Sequence, residues 1–220
     1  MILRESIREG SFRLYDRVAS TYERLYFNEE TLSLDKPFLD RFVYELPSKP
    51  KVLDIGCGLG IEARYLSEKG VLYTGIDASH KMISIARKRN PAIRFEIMDM
   101  RHILYEESRF DGVMSLGGII HFPKSELPNL LDEFARVMTK DGVMLLGVEE
   151  GRGKRFMEFG LGLKDEVLVS LYSLTELSRV LRKFGFRVVF HARRAPFEDE
   201  FPFVKLNIIA RRMAVAPHGG

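Results

Sequence analysis

The sequence predicts an α/β protein with a doubly wound, mostly parallel sheet and helices on both faces. Three observations carry this. From residue 52 to residue 148, short apolar runs alternate with amphipathic stretches of helical period, which is the pattern of strands joined by crossover helices. The first of these runs breaks into a glycine-rich turn that opens a helix. The last two runs, 186–192 and 205–211, have no helical pattern between them, and strands joined only by a loop pair most easily antiparallel.

In chain order, Phe12, Tyr15, Val18, Ala19, Tyr22, Leu25 and Tyr26 fall at helical spacings, and a second helix carries Phe38, Leu39, Phe42, Val43 and Leu46 before Pro47 closes it. These two helices precede the first strand and are expected either to cap the sheet's ligand edge or simply to pack on the core. Strand 52–55 enters the glycine turn, and a helix over 61–69 ends at Gly70. Strand 71–76 ends at Asp77, Ser79 caps a helix through Arg89, and Asn90-Pro91 stops it. Strands 93–97 and 110–116 follow, then a helix over 125–138 with Pro128 in its first turn, a Lys140-Asp141-Gly142 turn and strand 143–148. Residues 149–172 read as irregular. Ser173 and Glu176 form a capping box for a helix that Gly185 ends, before the terminal strand pair and a tail expected to fray after Met213.

Length and composition narrow the classes. At 220 residues the chain suits one substantial core. The single cysteine, Cys57, lies inside the glycine turn and cannot form an intrachain disulfide, which suits a reducing compartment. No apolar run reaches the length of a bilayer span, and Met1 to Gly10 is charged rather than signal-like, so a soluble cytoplasmic protein is expected. The balance of 34 Lys+Arg against 31 Asp+Glu argues against a nucleic-acid binder, and Arg87-Lys88-Arg89 reads as the cationic end of a helix.

The chemistry concentrates at strand ends, where ligands sit in open parallel sheets. Asp54-Ile55-Gly56-Cys57-Gly58-Leu59-Gly60 follows the first strand. A dinucleotide turn reads G-x-G-x-x-G, and the G-x-G-x-G spacing here departs from it, so a nicotinamide dehydrogenase fits poorly. Asp77, ending the second strand, can accept hydrogen bonds from both hydroxyls of a ribose. Asp99, ending the third, can accept from an adenine amino group while the Met100 N–H faces a ring nitrogen. The set suits an adenosine without phosphate.

Val52-Leu53-Asp54-Ile55-Gly56-Cys57-Gly58-Leu59-Gly60, Thr74-Gly75-Ile76-Asp77-Ala78-Ser79, Asp99-Met100 and Phe110-Asp111-Gly112-Val113 resemble the successive motifs of class I S-adenosylmethionine-dependent methyltransferases. Residues 131–142 and 172–186 resemble the small-molecule branch of that family, of the ubiquinone and menaquinone biosynthesis kind, and the resemblance runs from about Tyr15 to near the end. It implies a Rossmann-like sheet of seven strands with the last antiparallel. It also implies a single domain over 1–220, with a helical lid over 1–48, a cofactor-binding core over 49–150, a substrate cover over 151–172, and a C-terminal helix and strand pair over 173–213. Gly56, Gly58 and Gly60 would meet the methionine part of the cofactor, Asp77 the ribose, and Asp99 with Met100 the adenine. Leu116 would lie near the methionine end, Asp54, Cys57 and Ala78 would complete the cofactor set, and Tyr22 resembles the tyrosine that closes the lid.

The implied reaction is an in-line displacement that requires no metal, and alignment with exclusion of water is what the protein adds. His121, in Gly117-Gly118-Ile119-Ile120-His121-Phe122, can serve as general base or as a positioning residue. His191, Glu149 and Glu150 are weaker candidates. The fourth strand lacks the Asn/Asp-Pro-Pro-aromatic sequence of exocyclic-nitrogen methylases, and no cysteine is placed to attack a pyrimidine ring. A small-molecule acceptor with oxygen, nitrogen, sulfur or activated carbon remains, and Arg152, Lys154, Arg155, Phe156 and Phe159 in the cover would fit a flat or anionic one. The alternatives are an RNA methyltransferase and a non-catalytic cofactor-binding subunit.

Overall fold

The computed structural model describes residues 11–197 and 200–213. The charged segment over 1–10 and the tail after Met213 lie outside the described residues. Helices α1 (Phe12–Tyr26) and α2 (Glu29–Glu45) precede strand β1 (Lys51–Ile55). Then come α3 (Ala63–Glu68), β2 (Leu72–Asp77), α4 (His80–Arg89), β3 (Arg94–Ile97), β4 (Phe110–Leu116), α5 (Leu127–Val137) and β5 (Met138–Glu150). The chain ends in β6 (Lys154–Gly160), β7 (Leu163–Tyr172), α6 (Leu174–Lys183), β8 (Phe186–Arg194) and β9 (Lys205–Arg212).

Local chemistry sets the helix boundaries. Asn28, Ser79 and Ser173 accept the backbone N–H three residues on, capping α2, α4 and α6, each cap contributing about 1 kcal/mol. Pro37 lies inside α2, so the sequence pattern revealed only the half after it. A proline there forfeits one backbone hydrogen bond, and the burial of Phe38, Leu39 and Phe42 offsets the loss.

Strands β3-β2-β1-β4-β5 run parallel, β9 pairs antiparallel with β5, and β8 pairs antiparallel with β9. These seven strands reproduce the expected sheet and its antiparallel member. The full sheet has nine strands. Residues 151–172 are not irregular: they supply the β6–β7 hairpin, whose second strand joins β5 at Glu149↔Leu171 and Glu150↔Tyr172. Its hairpin turn holds Gly160, Leu161 and Gly162 at φ of 74°, 54° and 86°. Exposed positions along β6 and the charged first residues of β7 hid the pairing from a search for apolar runs. The expected turn at Lys140-Asp141-Gly142 is likewise absorbed into β5, as a shift of register between Phe110↔Met138 and Gly112↔Val143.

Both faces of the sheet are covered, and the period of two along a strand sorts side chains between them. Leu53, Ile55, Val113, Met144 and Leu146 face the core built with α5 and α6. Val52, Met114, Val143 and Leu145 face the core built with α2, α3 and α4. Helix α1 packs differently, over a small satellite cluster of Ala19, Leu59 and Met82. Among the described residues, no helix is long and apolar enough to cross a membrane.

Candidate active site

A cavity of about 540 Å³ lies at the carboxyl ends of β1, β2, β4 and β5, and α1 supplies Tyr15, Tyr22 and Tyr26 to its wall. The glycine turn forms its floor. The N–H groups of Gly56 and Cys57 donate to Ile76 O at 2.8 and 3.0 Å, fastening the turn to the end of β2. Gly58 has φ 50°, and a Cβ there would project into open space. Gly56 is confined, since a Cβ would come within 3.2 Å of Met100 Cε. Gly60 stands off the cavity: a Cβ there would sit 2.5 Å from the Phe95 ring, so its small size serves packing of the turn against β3.

The three strand-end carboxylates differ in their bonding. Asp77 accepts from Gly58 N at 2.9 Å and Ser79 N at 2.8 Å, which aims it across the turn. Burial raises its pKa more than these two donors lower it. Asp54 is buried and accepts from Tyr73 Oη at 2.5 Å, and burial again pushes its carboxyl up. At Asp99 burial acts upward too, yet the Arg101 guanidinium and N–H hold it below the usual carboxylate range. Arg101 grips both Asp99 oxygens, with Nη2 at 2.6 Å and Nε at 3.0 Å. Tyr22, Cys57, Ala78, Met100 and Leu116 also line the cavity. Cys57 is otherwise a packing residue: its thiol pKa is pushed up by burial, and its Sγ lies where a Cβ on Gly75 would be.

Helix α1 is held over the cavity from both sides. Asp16 accepts from Ser79 Oγ at 2.6 Å and Lys81 N at 2.9 Å, and Glu23 pairs with Arg89 at 2.5 Å. Toward the hairpin, Arg17 pairs with Asp165 at 2.9 Å and the Tyr15 ring meets Phe159 edge-on at 5.0 Å between centroids.

His121 stands where the hairpin and α1 meet. Its Nδ1 lies 3.1 Å from Leu168 O, which can only accept, so Nδ1 carries the proton and Nε2 accepts from Tyr15 Oη at 2.9 Å. Burial lowers the imidazole from its ordinary 6.5 to about 4, which keeps it neutral. Burial likewise raises the Tyr15 phenol. Ser170 Oγ donates to Phe122 O at 2.7 Å, so β7 fixes the turn that bears His121. The hairpin thus orients the candidate base. Its basic residues Arg152, Lys154 and Arg155 are exposed and off the cavity, Phe156 is exposed, and only Phe159 of that set lines the wall. His191 and Glu150 are also off it, Glu150 being held by Arg193 at 2.7 and 2.8 Å.

Beyond β5 the wall is charged. Lys205 pairs with Glu149, and Arg194 forks onto Glu200 at 2.7 and 2.8 Å and reaches Asp35 at 3.4 Å. Among the described residues, the cavity wall sets Asp35, Asp54, Glu62, Asp77, Asp99, Glu126, Glu149, Glu158 and Glu200 against Arg101, Arg194 and Lys205. These nine carboxylates and three cations lie in a chain of net charge +3. Sequence reasoning missed Asp35, Glu62, Arg194, Glu200 and Lys205. Only an acid or base beside a strand end could have flagged them, and partners so distant in the chain give no local spacing.

Comparison with known proteins fits this geometry. The family described as methyltransferase domain matches residues 26–191. Phosphoethanolamine N-methyltransferase 1 of Zea mays is 30% identical over 173 residues, covering 75% of this chain and 34% of that protein. The chain spans less than half the length of several curated relatives it matches. A SAM-dependent methyltransferase structure from Methanosarcina mazei superposes with TM-score 0.72 at 18% identity, covering 81% of this chain and 98% of that one. The 1,6-didemethyltoxoflavin-N1-methyltransferase of Burkholderia thailandensis, solved with 1,6-didemethyltoxoflavin and S-adenosylhomocysteine, superposes with TM-score 0.67 at 22% identity, covering 91% and 90%. At these identities the likeness is one of fold.

Proposed function

The chain belongs to the S-adenosylmethionine-dependent methyltransferase family, and from that premise we propose that it transfers a methyl group to a small-molecule acceptor held in the acidic half of the cavity. The observation that carries this is the pairing of an open, positive-φ Gly58 with an Asp77 fixed by the same turn.

The residues present fit the family's donor. The space a Cβ would fill at Gly58 lets a ligand approach the main chain. Asp77 keeps lone pairs for the hydroxyls of a ribose after accepting its two N–H bonds. Asp99 and Met100 would meet the adenine, Leu116 the methionine end, and Tyr22 would close from above. S-adenosylmethionine, when bound, supplies a methyl group on a positively charged sulfur. The protein's own part is to align and to keep water out. Tyr15, Tyr22, Phe159 and Phe201 present ring surface to the cavity. The Tyr15–His121 pair would hold α1 over the reactants and offer an acceptor proton a route to Nε2.

A polyanionic acceptor is disfavoured by the nine carboxylates, so a small molecule is preferred to RNA. In this reading residues 11–48, the described part of the expected lid, cover the site, and the β6–β7 hairpin acts as the substrate cover. The Burkholderia neighbour, solved with 1,6-didemethyltoxoflavin bound, illustrates the class. The test is calorimetry with S-adenosylhomocysteine, followed by incubation with S-adenosylmethionine and metabolite mixtures and a mass search for products heavier by one methyl. Binding without any methylated product and without release of S-adenosylhomocysteine would favour a non-catalytic subunit instead.

A further inference from the structure

Glu149, at the end of β5, is 3% exposed and lines the cavity. One of its oxygens takes Lys205, while the other, Oε2, is buried without a hydrogen-bond partner among the described residues. A buried carboxylate oxygen left unpaired is costly, and on a side chain that lines a cavity the missing donor can come from a ligand that displaces the side chain's present packing. Its neighbours sharpen the demand. Among the described residues, Asp35, Glu149 and Glu200 meet only Arg194 and Lys205, and Arg194 is already shared between Asp35 and Glu200. The group therefore carries one negative charge in excess. It also adjoins the candidate base, since the Phe201 ring, next to Glu200, packs edge-on against His121 at 6.3 Å.

We infer that this wall is the acceptor subsite and that it selects an acceptor bearing a protonated amine, which donates to Glu149 Oε2 and neutralises the surplus charge. This rests on the methyltransferase reading of the same cavity and names its substrate class. An ammonium supplies the missing donor and the missing charge together. A carboxylate or phosphate supplies neither and would be repelled by Glu149 and Glu200. The exposed bases of the hairpin cannot reverse this preference, because they stand off the cavity. Burial already holds the pKa of both Glu149 and Asp35 above the ordinary range, as carboxylates short of partners require.

The test measures binding to the full chain saturated with S-adenosylhomocysteine. The probes are phenethylamine, cyclohexylamine and butylamine, each against the carboxylate of matching skeleton. A charged hydrogen bond gained by one probe and refused to the other predicts that amines bind at least about tenfold more tightly. Glu149→Gln should remove most of that ratio and leave affinity for S-adenosylhomocysteine unchanged. Should Glu149→Gln unfold, Glu200→Gln, at the more open end of the group, removes the same surplus charge and should reduce the ratio. Amines that fail to bind, or bind no better than the carboxylates, overturn the inference, as does a ratio that survives in the folded variant. Failure of S-adenosylhomocysteine to bind the wild type would instead overturn the methyltransferase reading, so the two failures are distinguishable.

Discussion

The floor of the cavity at β1, β2 and β3 is main chain, turned by Gly56 and Gly58 and pinned by Asp77, whereas the wall beyond β5 is side chain. That wall brings together Asp35 from α2, Glu149 from β5, Arg194 from β8, Glu200 from a loop and Lys205 from β9. The floor's N–H groups are tied down within the protein, Gly56 and Cys57 on Ile76 O and Gly58 on Asp77, which fixes a main-chain surface left open at Gly58, and such a surface suits a ligand common to a whole family. A wall of ion pairs can change partner with one substitution, and it suits a ligand peculiar to one member. The contrast teaches where to look for each kind of specificity.

The largest expected effect breaks the floor alone. Gly58→Val forces a β-branched residue to φ 50° and fills the open space in front of the turn. The strain alone is about 1–3 kcal/mol. Affinity for S-adenosylhomocysteine should fall on the order of a hundredfold or more by calorimetry, and unchanged affinity would refute the placement of the donor. Asp77→Ala comes next. It deletes two observed backbone anchors as well as the proposed ribose contacts, and should weaken the same affinity by roughly ten- to a hundredfold at about 1.5–3 kcal/mol per charged hydrogen bond. Glu149→Gln should leave that affinity alone, and a shared loss would mean the two walls are not separable.

Smaller effects sharpen the part played by α1, which is held by α4 on one side and by His121 and the hairpin on the other. Tyr15→Phe removes the bond to His121 Nε2, a net loss of about 0.5–1.5 kcal/mol. Turnover should drop severalfold while affinity for S-adenosylhomocysteine moves little. Burial of the same imidazole predicts a pH dependence of stability. His121 stays neutral in the fold down to about 4, against an ordinary 6.5, so between these values the unfolded chain binds the extra proton. Its contribution is therefore complete above pH 6.5 and is lost as pH falls toward 4. Urea unfolding at pH 7 and pH 4.5 should show a smaller loss in His121→Asn than in the wild type. Asp16→Ala should give the smallest change, about 1 kcal/mol, read as faster amide exchange in α1 with the sheet unaffected.

Much of the floor was legible before any coordinates. Asp54, the glycines, Asp77 and Asp99 lie within one stretch of short-range punctuation, where strand, turn and helix follow each other and each residue's place is fixed by its immediate neighbours. Even there the tertiary structure reassigned Gly60 to packing against Phe95 and gave Asp99 a partner in Arg101. The β6–β7 hairpin escaped notice because β6 has few buried positions and the charged residues of β7 are gathered in its first four, next to the turn.

The sequence by itself determined the α/β order of the elements outside the β6–β7 hairpin, the antiparallel pairing of the last strand and the glycine turn with its strand-end acids. Those features rest on periodicity, caps and glycine conformations, all of which act over a few residues. Only the tertiary structure decided that Tyr15 meets His121 across 106 residues, that Lys205 meets Glu149 across 56, and that Glu149 Oε2 is left without a partner. Hydrogen bonds and ion pairs of that kind follow from which strand ends the packed sheet sets side by side, and no local spacing encodes them.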